Sequence, residues 1–467
     1  MKISNLFLLA ALVVTSFSAS ATSVDAAAAR SAAARFLHQK APMSLKATPS
    51  SAIQLAYTEA SKVEGNDYYV FNITGGGWVV IAGDDHAKEV LAYGDRGSFD
   101  LNNMPANMQG QLKLYKDQIE AVKGFKGQLA PNKAPNRITA VEPLTKTTWG
   151  QSEPMNRFTP MKGSEHTAVG CGPLAMAQIM YYWKYPEGSA AMSSYYVYGS
   201  TGTVPALDAT TFEYNKMLKA YTIFNPETNG VSLGTYTEEE ALAVATLCRY
   251  AGHACKTRYG NSGTSSGAYS YDQLDAFKLF GYNEGAQLIG IDPTYYCSNY
   301  GHKYTKEEWL ELISVELNAN RPVAYHNVDF IDGHAWVVDG IDADGLLHMN
   351  WGFYERFNGW FQLDALSFHP YGDDEVWDFS GSSNEMIINL FPYEGYVIPG
   401  DEPEGLLGDV DGDGVVGIAD VTALIDYILS NDASEINLDV ADVDSDGNIG
   451  IADVTAMIDY LLSGEWN

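Results

Sequence analysis

A cysteine placed at the start of a helix can act as a nucleophile. In TAVGCGPLAMAQIMYYWKYP, residues 167–186, Cys171 lies between two glycines and directly ahead of an apolar run with no breaker before Tyr185 and Pro186. Pro173 suits the first helical position, so Cys171 is expected at or just before a helix N-terminus. There the unpaired backbone N–H groups and the helix dipole favour negative charge, which lowers a thiol pKa from about 8.5. The flanking glycines admit close approach of backbone and substrate, and the N–H of Cys171 itself can face a developing oxyanion. The plainer alternative is a small buried hydrophobe in a tight loop.

A nucleophilic cysteine needs an imidazole as base and a group that orients it. Of nine histidines, His334 follows a glycine and opens the strand-like run HAWVVDGI, which turns at Asp344 and Gly345 into LLHMNWGF. That pattern is a hairpin, and it brings Asn350 and Trp351 near His334. A three-residue or bulged loop places Asn350 on the face of His334, whereas a simple two-residue loop does not. His326 and His348 compete for the role and read more simply as satisfied strand or core histidines.

Taken together and in order, LTKTTWGQSEPMN, GCGPLAMAQIMYYWKYP, GHAWVVDG and NWGF resemble the streptopain family of secreted cysteine proteases, whose fold is papain-like. The resemblance runs from residue 22 to about 396, because the segment ahead of the domain resembles the inhibitory propeptide of that family. It implies that Cys171 is the nucleophile, His334 the general base and acid, and Gln151 the side-chain oxyanion donor. Asn350 or Trp351 would orient or cover the imidazole, Trp351 being the better match. No cofactor is implied for catalysis. One departure stands out: where the family usually shows a second tryptophan and a glycine pair, this chain has Phe353, Tyr354, Glu355 and Arg356, with the next glycine at Gly359. The loop flanking the cleft is therefore altered.

A second chemistry lies at the C-terminus. The segment GDVDGDGVVGIADVTALIDYIL returns 33 residues later as ADVDSDGNIGIADVTAMIDYLL, which marks a repeat. Asp409, Asp411, Asp413, Val415 and Asp420 fall at positions 1, 3, 5, 7 and 12 of a calcium loop, with Gly414 at the sharp turn. Asp442, Asp444, Asp446, Asn448 and Asp453 repeat that spacing, giving two expected Ca2+ ions. An apolar helix follows each loop, and neither can bury its own face, so the two units should pack together. The module resembles a two-repeat dockerin. That resemblance implies a cohesin-type partner on a scaffold or surface protein; a calcium-stabilised cap that binds nothing else is the alternative.

These sites need elements to position them. The first 21 residues, with a lysine, an apolar run and a small-residue cut site at Ala19-Ser20-Ala21, read as a secretory signal. After it, an Ala-rich helix, three glycine-punctuated strand runs and a helix over residues 104–127 form an α+β propeptide across 22–135, ending in an exposed linker rich in Pro, Asn and Lys. Residues 140–396 mix helices with Trp- and Tyr-rich strands, an α+β pattern that the resemblance makes a papain-like cysteine protease domain. A linker at 397–406 leads to a small all-α two-repeat calcium-loop module at 407–467. No later run is long enough to span a membrane. A net charge of −31 excludes phosphate-backbone binding,. Four cysteines are too few for a disulfide scaffold, and a helix through Cys248 and Cys255 would hold them about 10 Å apart. A zinc site that adds His253 matches no common ligand spacing.

The expected product is thus a secreted or cell-surface cysteine endopeptidase made as a zymogen, acting on proteins or peptides. Two rivals remain at this point. One is a catalytically silent surface-binding protein on a protease-like fold, disfavoured by the full set of Gln151, Cys171, His334 and Asn350. The other is a different Cys-His acyl transferase of transglutaminase type.

Overall fold

The run DYYVFNI and the two that follow it are apolar at nearly every position rather than alternating, which asks for a sheet covered on both faces. The computed structural model shows that cover. It describes residues 23–463 apart from 40–51, 102–103, 133–137, 199–200, 226–229, 264, 329–333, 371–382, 394, 397, 399–406, 413–414, 431–432, 434–435 and 445–447. The expected signal peptide therefore lies outside the described residues. Helix α1 (Ala26–Gln39) packs on one face of strands β1 (Ile53–Ala60), β2 (Asn66–Ile73), β3 (Trp78–Ala82) and β4 (Val90–Gly94). Helix α2 (Ala106–Gly124) covers the other. Successive strand residues divide between them: Tyr69, Phe71, Val79 and Ile81 join the α1 side, while Tyr68, Val70, Trp78 and Val80 join the α2 side,.

The catalytic half supplies helices α3 (Cys171–Trp183), α4 (Glu238–Ala254), α5 (Ser270–Leu279) and α6 (Lys306–Asn318). Its strands in the main sheet are β5 (Gln287–Gly290), β6 (Val323–Val328), β7 (His334–Ile341), β8 (Leu347–Asn350), β9 (Gly359–Phe361) and β10 (Ser383–Ile388). Helices α4 and α6 each begin with a capping box, Thr237 with Glu240 and Thr305 with Glu308, which satisfies two otherwise orphaned N–H groups per helix.

The N-terminal α+β segment does not stand apart. All these strands form one ten-stranded antiparallel sheet in the order β1-β2-β3-β4-β9-β8-β7-β6-β10-β5. Its halves join where Tyr93 and Ala92 of β4 pair with Trp360 and Phe361 of β9. One core crosses the junction, with Trp78, Leu91 and Tyr115 packed in the same cluster as Trp309, Trp336 and Trp351. Residues 1–392 accordingly form one compact unit and 393–467 a second.

The second unit holds helices α7 (Ile418–Ser430) and α8 (Ile451–Ser463) around Val410, Val421, Leu424, Ala441, Val443, Val454 and Met457. The two repeats thus share one small core, as the sequence repeat requires. Among the described residues, no helix is long and apolar enough to cross a membrane.

Candidate active site

Cys171 is the first residue of α3, and the carbonyl of Gly170 (φ +97°) accepts the first helical bond, from Leu174 N–H at 3.0 Å. Pro173 consequently occupies the third helical position rather than the first. Its missing N–H still falls among donors that have no intrahelical partner. The helix is buried nearly all round against β7 and its neighbours, which fixes where its N-terminus points.

Cys171 is half-buried as a residue, and the backbone N–H groups of Ala335, Gly172 and Cys171 itself lie near enough to its sulfur to favour the thiolate. Burial nevertheless dominates and pushes the thiol up from its ordinary value, the N–H groups offsetting only part of that effect. The expected lowering of the thiol pKa is therefore not what this full-length chain shows. A helix N-terminus stabilises a thiolate only as far as desolvation permits. Ala335 directly follows His334, the first residue of β7. The strand that begins with His334 thus passes beside the start of α3.

Asn350 is not brought to the face of His334. The hairpin closes at Ile341 and Leu347 around a five-residue loop, and a bulge between Val338 and Gly340 shifts the register so that Asn350 pairs with Val337. Val337 lies an odd number of residues from His334, hence on the opposite side of the strand. Asn350 Nδ2 instead donates to Thr147 O at 2.8 Å and Gln178 Oε1 at 3.2 Å, tying β8 to α3 and to the segment ahead of it. Trp351 stands on the other side. Its ring centroid is 5.0 Å from that of Trp336, which shares the face of His334, and its Nε1 donates to Phe357 O at 2.9 Å.

Gln151 is half-buried, and its carbonyl accepts Val169 N–H at 3.0 Å, which joins the expected oxyanion segment to the turn two residues before Cys171. His326, one of the competing histidines, is buried with Nε2 2.6 Å from Gln273 Oε1, and burial lowers its pKa to about 4. It is neutral and satisfied. His348 is engaged likewise, Nδ1 lying 2.6 Å from Asp339 Oδ1. Gln273 in turn donates to Gly172 O at 2.6 Å. Neither this link nor the Ala335 N–H left a mark in the sequence: one is a buried amide with no motif, the other a backbone group. The remaining cysteines, Cys248, Cys255 and Cys297, are buried free thiols. His253 Nε2 pairs with Ser193 O at 2.9 Å, and no zinc-like cluster forms around it among the described residues.

In the second unit, Asp409, Asp411 and Asp420 bring carboxylate oxygens within 4.8 Å of one another, as do Asp442, Asp444 and Asp453. Asp420 and Asp453 are fully buried at the starts of α7 and α8. Such convergence, in a segment with 17 Asp or Glu and no Lys or Arg over residues 401–467, fits a hard cation taking oxygen ligands. Val415 and Asn448 lie on the same loops and are exposed. Asp413 and Asp446 lie outside the described residues.

Comparison with known proteins finds a family match in each of three segments. Residues 149–361 match the Peptidase C10 family, residues 21–119 the Spi protease inhibitor family and residues 407–462 the Dockerin type I domain. Streptopain of Streptococcus pyogenes serotype M1 is 29% identical over 360 residues, covering 73% of this chain and 84% of that protein. Thiol protease/hemagglutinin PrtT of Porphyromonas gingivalis is 28% identical over 383 residues, 78% of this chain and 41% of that protein. A solved fragment of prointerpain A from Prevotella intermedia superposes with a TM-score of 0.57 at 27% identity, covering 73% of this chain and 98% of the fragment.

Proposed function

The chain carries a streptopain-like cysteine endopeptidase domain of the Peptidase C10 type between a Spi-type inhibitor domain and a dockerin type I domain, and from that premise we propose how it works. Cys171 attacks the peptide carbonyl as thiolate, His334 takes the thiol proton and returns it to the leaving amine, and water clears the acyl enzyme. Gln151 and the Cys171 N–H receive the oxyanion. Trp351 covers the imidazole side of the cleft. Asn350 acts at one remove, by holding β8 to α3.

The observation that carries this reading is the Ala335 N–H beside the Cys171 sulfur, which brings the helix start to the strand that begins with His334. Residues 1–21 direct export and residues 22–135 keep the enzyme inactive until removed. Cys171→Ala should remain full length and refuse a thiol-directed inhibitor at neutral pH, while the natural chain shortens itself, is labelled and releases peptides from casein. Equal shortening of both chains, with other proteases absent, overturns self-processing. Amine cross-linking in place of peptide release would point to a transglutaminase-type reaction.

The C-terminal module holds two Ca2+ ions and docks the exported enzyme on a cohesin-type scaffold or surface protein. Support comes from a repeated set of exposed apolar residues: Ile418 and Ile451 are 74% and 73% exposed, Leu429 and Leu462 80% and 83%. Capture from the cell-surface fraction with calcium, abolished by chelator, is the expected result; no capture with calcium leaves the cap.

A further inference from the structure

The loop that departs from the family pattern touches the oxyanion segment in three ways. Tyr354 Oη accepts Ser152 N–H at 2.9 Å. Tyr354 N–H donates to Trp149 O at 3.3 Å. The Tyr354 ring also lies so close over Gly150 that a Cβ there would stand 2.2 Å from Cζ. Gln151 is thus enclosed: the residue before it is pressed by the ring, the residue after it is held by the hydroxyl, and its own carbonyl is held by Val169.

The backbone around Tyr354 adds a second observation. Tyr354, Glu355 and Phe357 have φ of +59°, +67° and +61°, the left-handed region that glycine enters without penalty and other residues do not. A bulky residue kept in such a conformation has to be repaid by what its side chain does. The contacts of Tyr354 on both sides of Gln151 are that return.

We propose that Tyr354 is a positioning residue for the oxyanion site, holding the Trp149–Ser152 segment so that the Gln151 amide stays aimed at the developing charge. This rests on the role given to Gln151 above. Misplacement of such a donor by about 1 Å can cost on the order of 100-fold in rate, so loss of one of the three contacts should cost about 5- to 20-fold.

The test compares natural enzyme, Tyr354→Phe, Gln151→Ala and the double variant, each matured from the full chain by wild-type enzyme on beads that are then removed. Rates are normalised to titratable Cys171 thiol. The expected result for Tyr354→Phe is a kcat about 5- to 20-fold lower with KM within twofold. Iodoacetamide should alkylate Cys171 at the natural rate, because alkylation forms no oxyanion and a general structural defect would slow it. In the Gln151→Ala background Tyr354→Phe should cost less than twofold, since the donor it positions is gone. Gly150→Ala, which sets a methyl against the ring, should reproduce the kcat-only loss and keep normal alkylation. An unchanged kcat in Tyr354→Phe, a rise in KM alone, or an equal loss in both backgrounds overturns the proposal while leaving Gln151 as donor. A Gln151→Ala enzyme with full kcat overturns the donor and Tyr354 together, and Cys171 labelling then shows whether the thiol assignment survives.

Discussion

Gln273 Nε2 donates to the carbonyl of Gly172, the residue after Cys171, at 2.6 Å, and His326 donates to Gln273 from the far side at the same distance. His326 lies opposite Ala335 in the β6–β7 ladder. The N-terminus of α3 is therefore tied to the sheet through the Gly172 carbonyl, by way of Gln273 and His326.

This link has a pH signature. Burial lowers the pKa of His326 from 6.5 in the unfolded chain to about 4, so the folded state favours the neutral ring. Its contribution is fully present above about pH 6.5 and is lost as pH falls towards 4. The full loss is about 3 kcal/mol. Urea unfolding of Cys171→Ala against pH should show this decline on top of the carboxylate titrations. His326→Gln should be less steep by that amount between pH 6.5 and 4; an identical slope would contradict the assignment.

A second prediction concerns the inhibitory half. Lys123 and Asp67 form a buried pair, Nζ to Oδ1 3.0 Å, with side chains 4% and 0% exposed, and Lys123 also donates to the carbonyls of Glu64 and Asn66. Removing Lys123 takes from Asp67 its buried partner and leaves it Lys116, whose Nζ is 3.4 Å from Oδ2, so the cost should lie below the value of about 3–5 kcal/mol for a fully stranded buried charge. Lys123→Met in the Cys171→Ala background should lower the midpoint of urea unfolding accordingly. Because β1–β4 share a sheet with β5–β10, the loss should appear in one transition reporting on both halves. Two separated transitions would show that the shared sheet does not couple them.

The same sheet explains what could and could not be read from the chain. The runs that became β2, β3, β4 and α2, the helix behind Cys171, the hairpin after His334 and the tail repeat were legible because each rests on local periodicity or a local breaker. The β4–β9 junction was not, since pairing of Tyr93 with Trp360 is a long-range choice that no local pattern records. The face of Asn350 stayed open for a narrower reason. One bulged residue near Asp339 reverses every side chain beyond it, and nothing in HAWVVDGI announces a bulge. The raised thiol pKa escaped because it depends on how deeply α3 is packed, a property of the assembled core.

A third prediction follows from the contact between the inhibitory half and the altered loop. Arg96 forms an ion pair with Glu355, whose side chain is 18% exposed against 58% for Arg96. Burial raises the Glu355 pKa and the Arg96 charge pulls it back. Pairs this exposed contribute about 0.2–1 kcal/mol. Arg96→Ala should therefore hasten self-processing of the full chain about 1.5- to 5-fold, measured as the half-life of the intact band. At 0.5 M salt the difference from the natural chain should shrink, because screening removes the same interaction. A salt-independent difference would mean that Arg96 acts through packing.

The last prediction separates the two calcium loops. Asp420 Oδ1 accepts Asp411 N–H at 3.0 Å and Oδ2 accepts Gly417 N–H at 2.7 Å; Asp453 takes Val443 N–H at 2.9 Å and Gly450 N–H at 2.7 Å. Each carboxylate thus orders its loop and still stands within ligand distance of two other aspartates. Calorimetric titration of the full-length Cys171→Ala chain, stripped with chelator, should give two Ca2+ per chain. Asp420→Ala and Asp453→Ala should each give one, and the double variant none. At calcium about 1,000-fold above Kd, binding should stabilise the 393–467 unit by about 4 kcal/mol per site. The core of that unit is only Val410, Val421, Leu424 and a few neighbours, so chelation should melt α7 and α8 and leave the catalytic unit folded. Unchanged helical signal after chelation, or two ions retained in either single variant, would exclude this pair of sites.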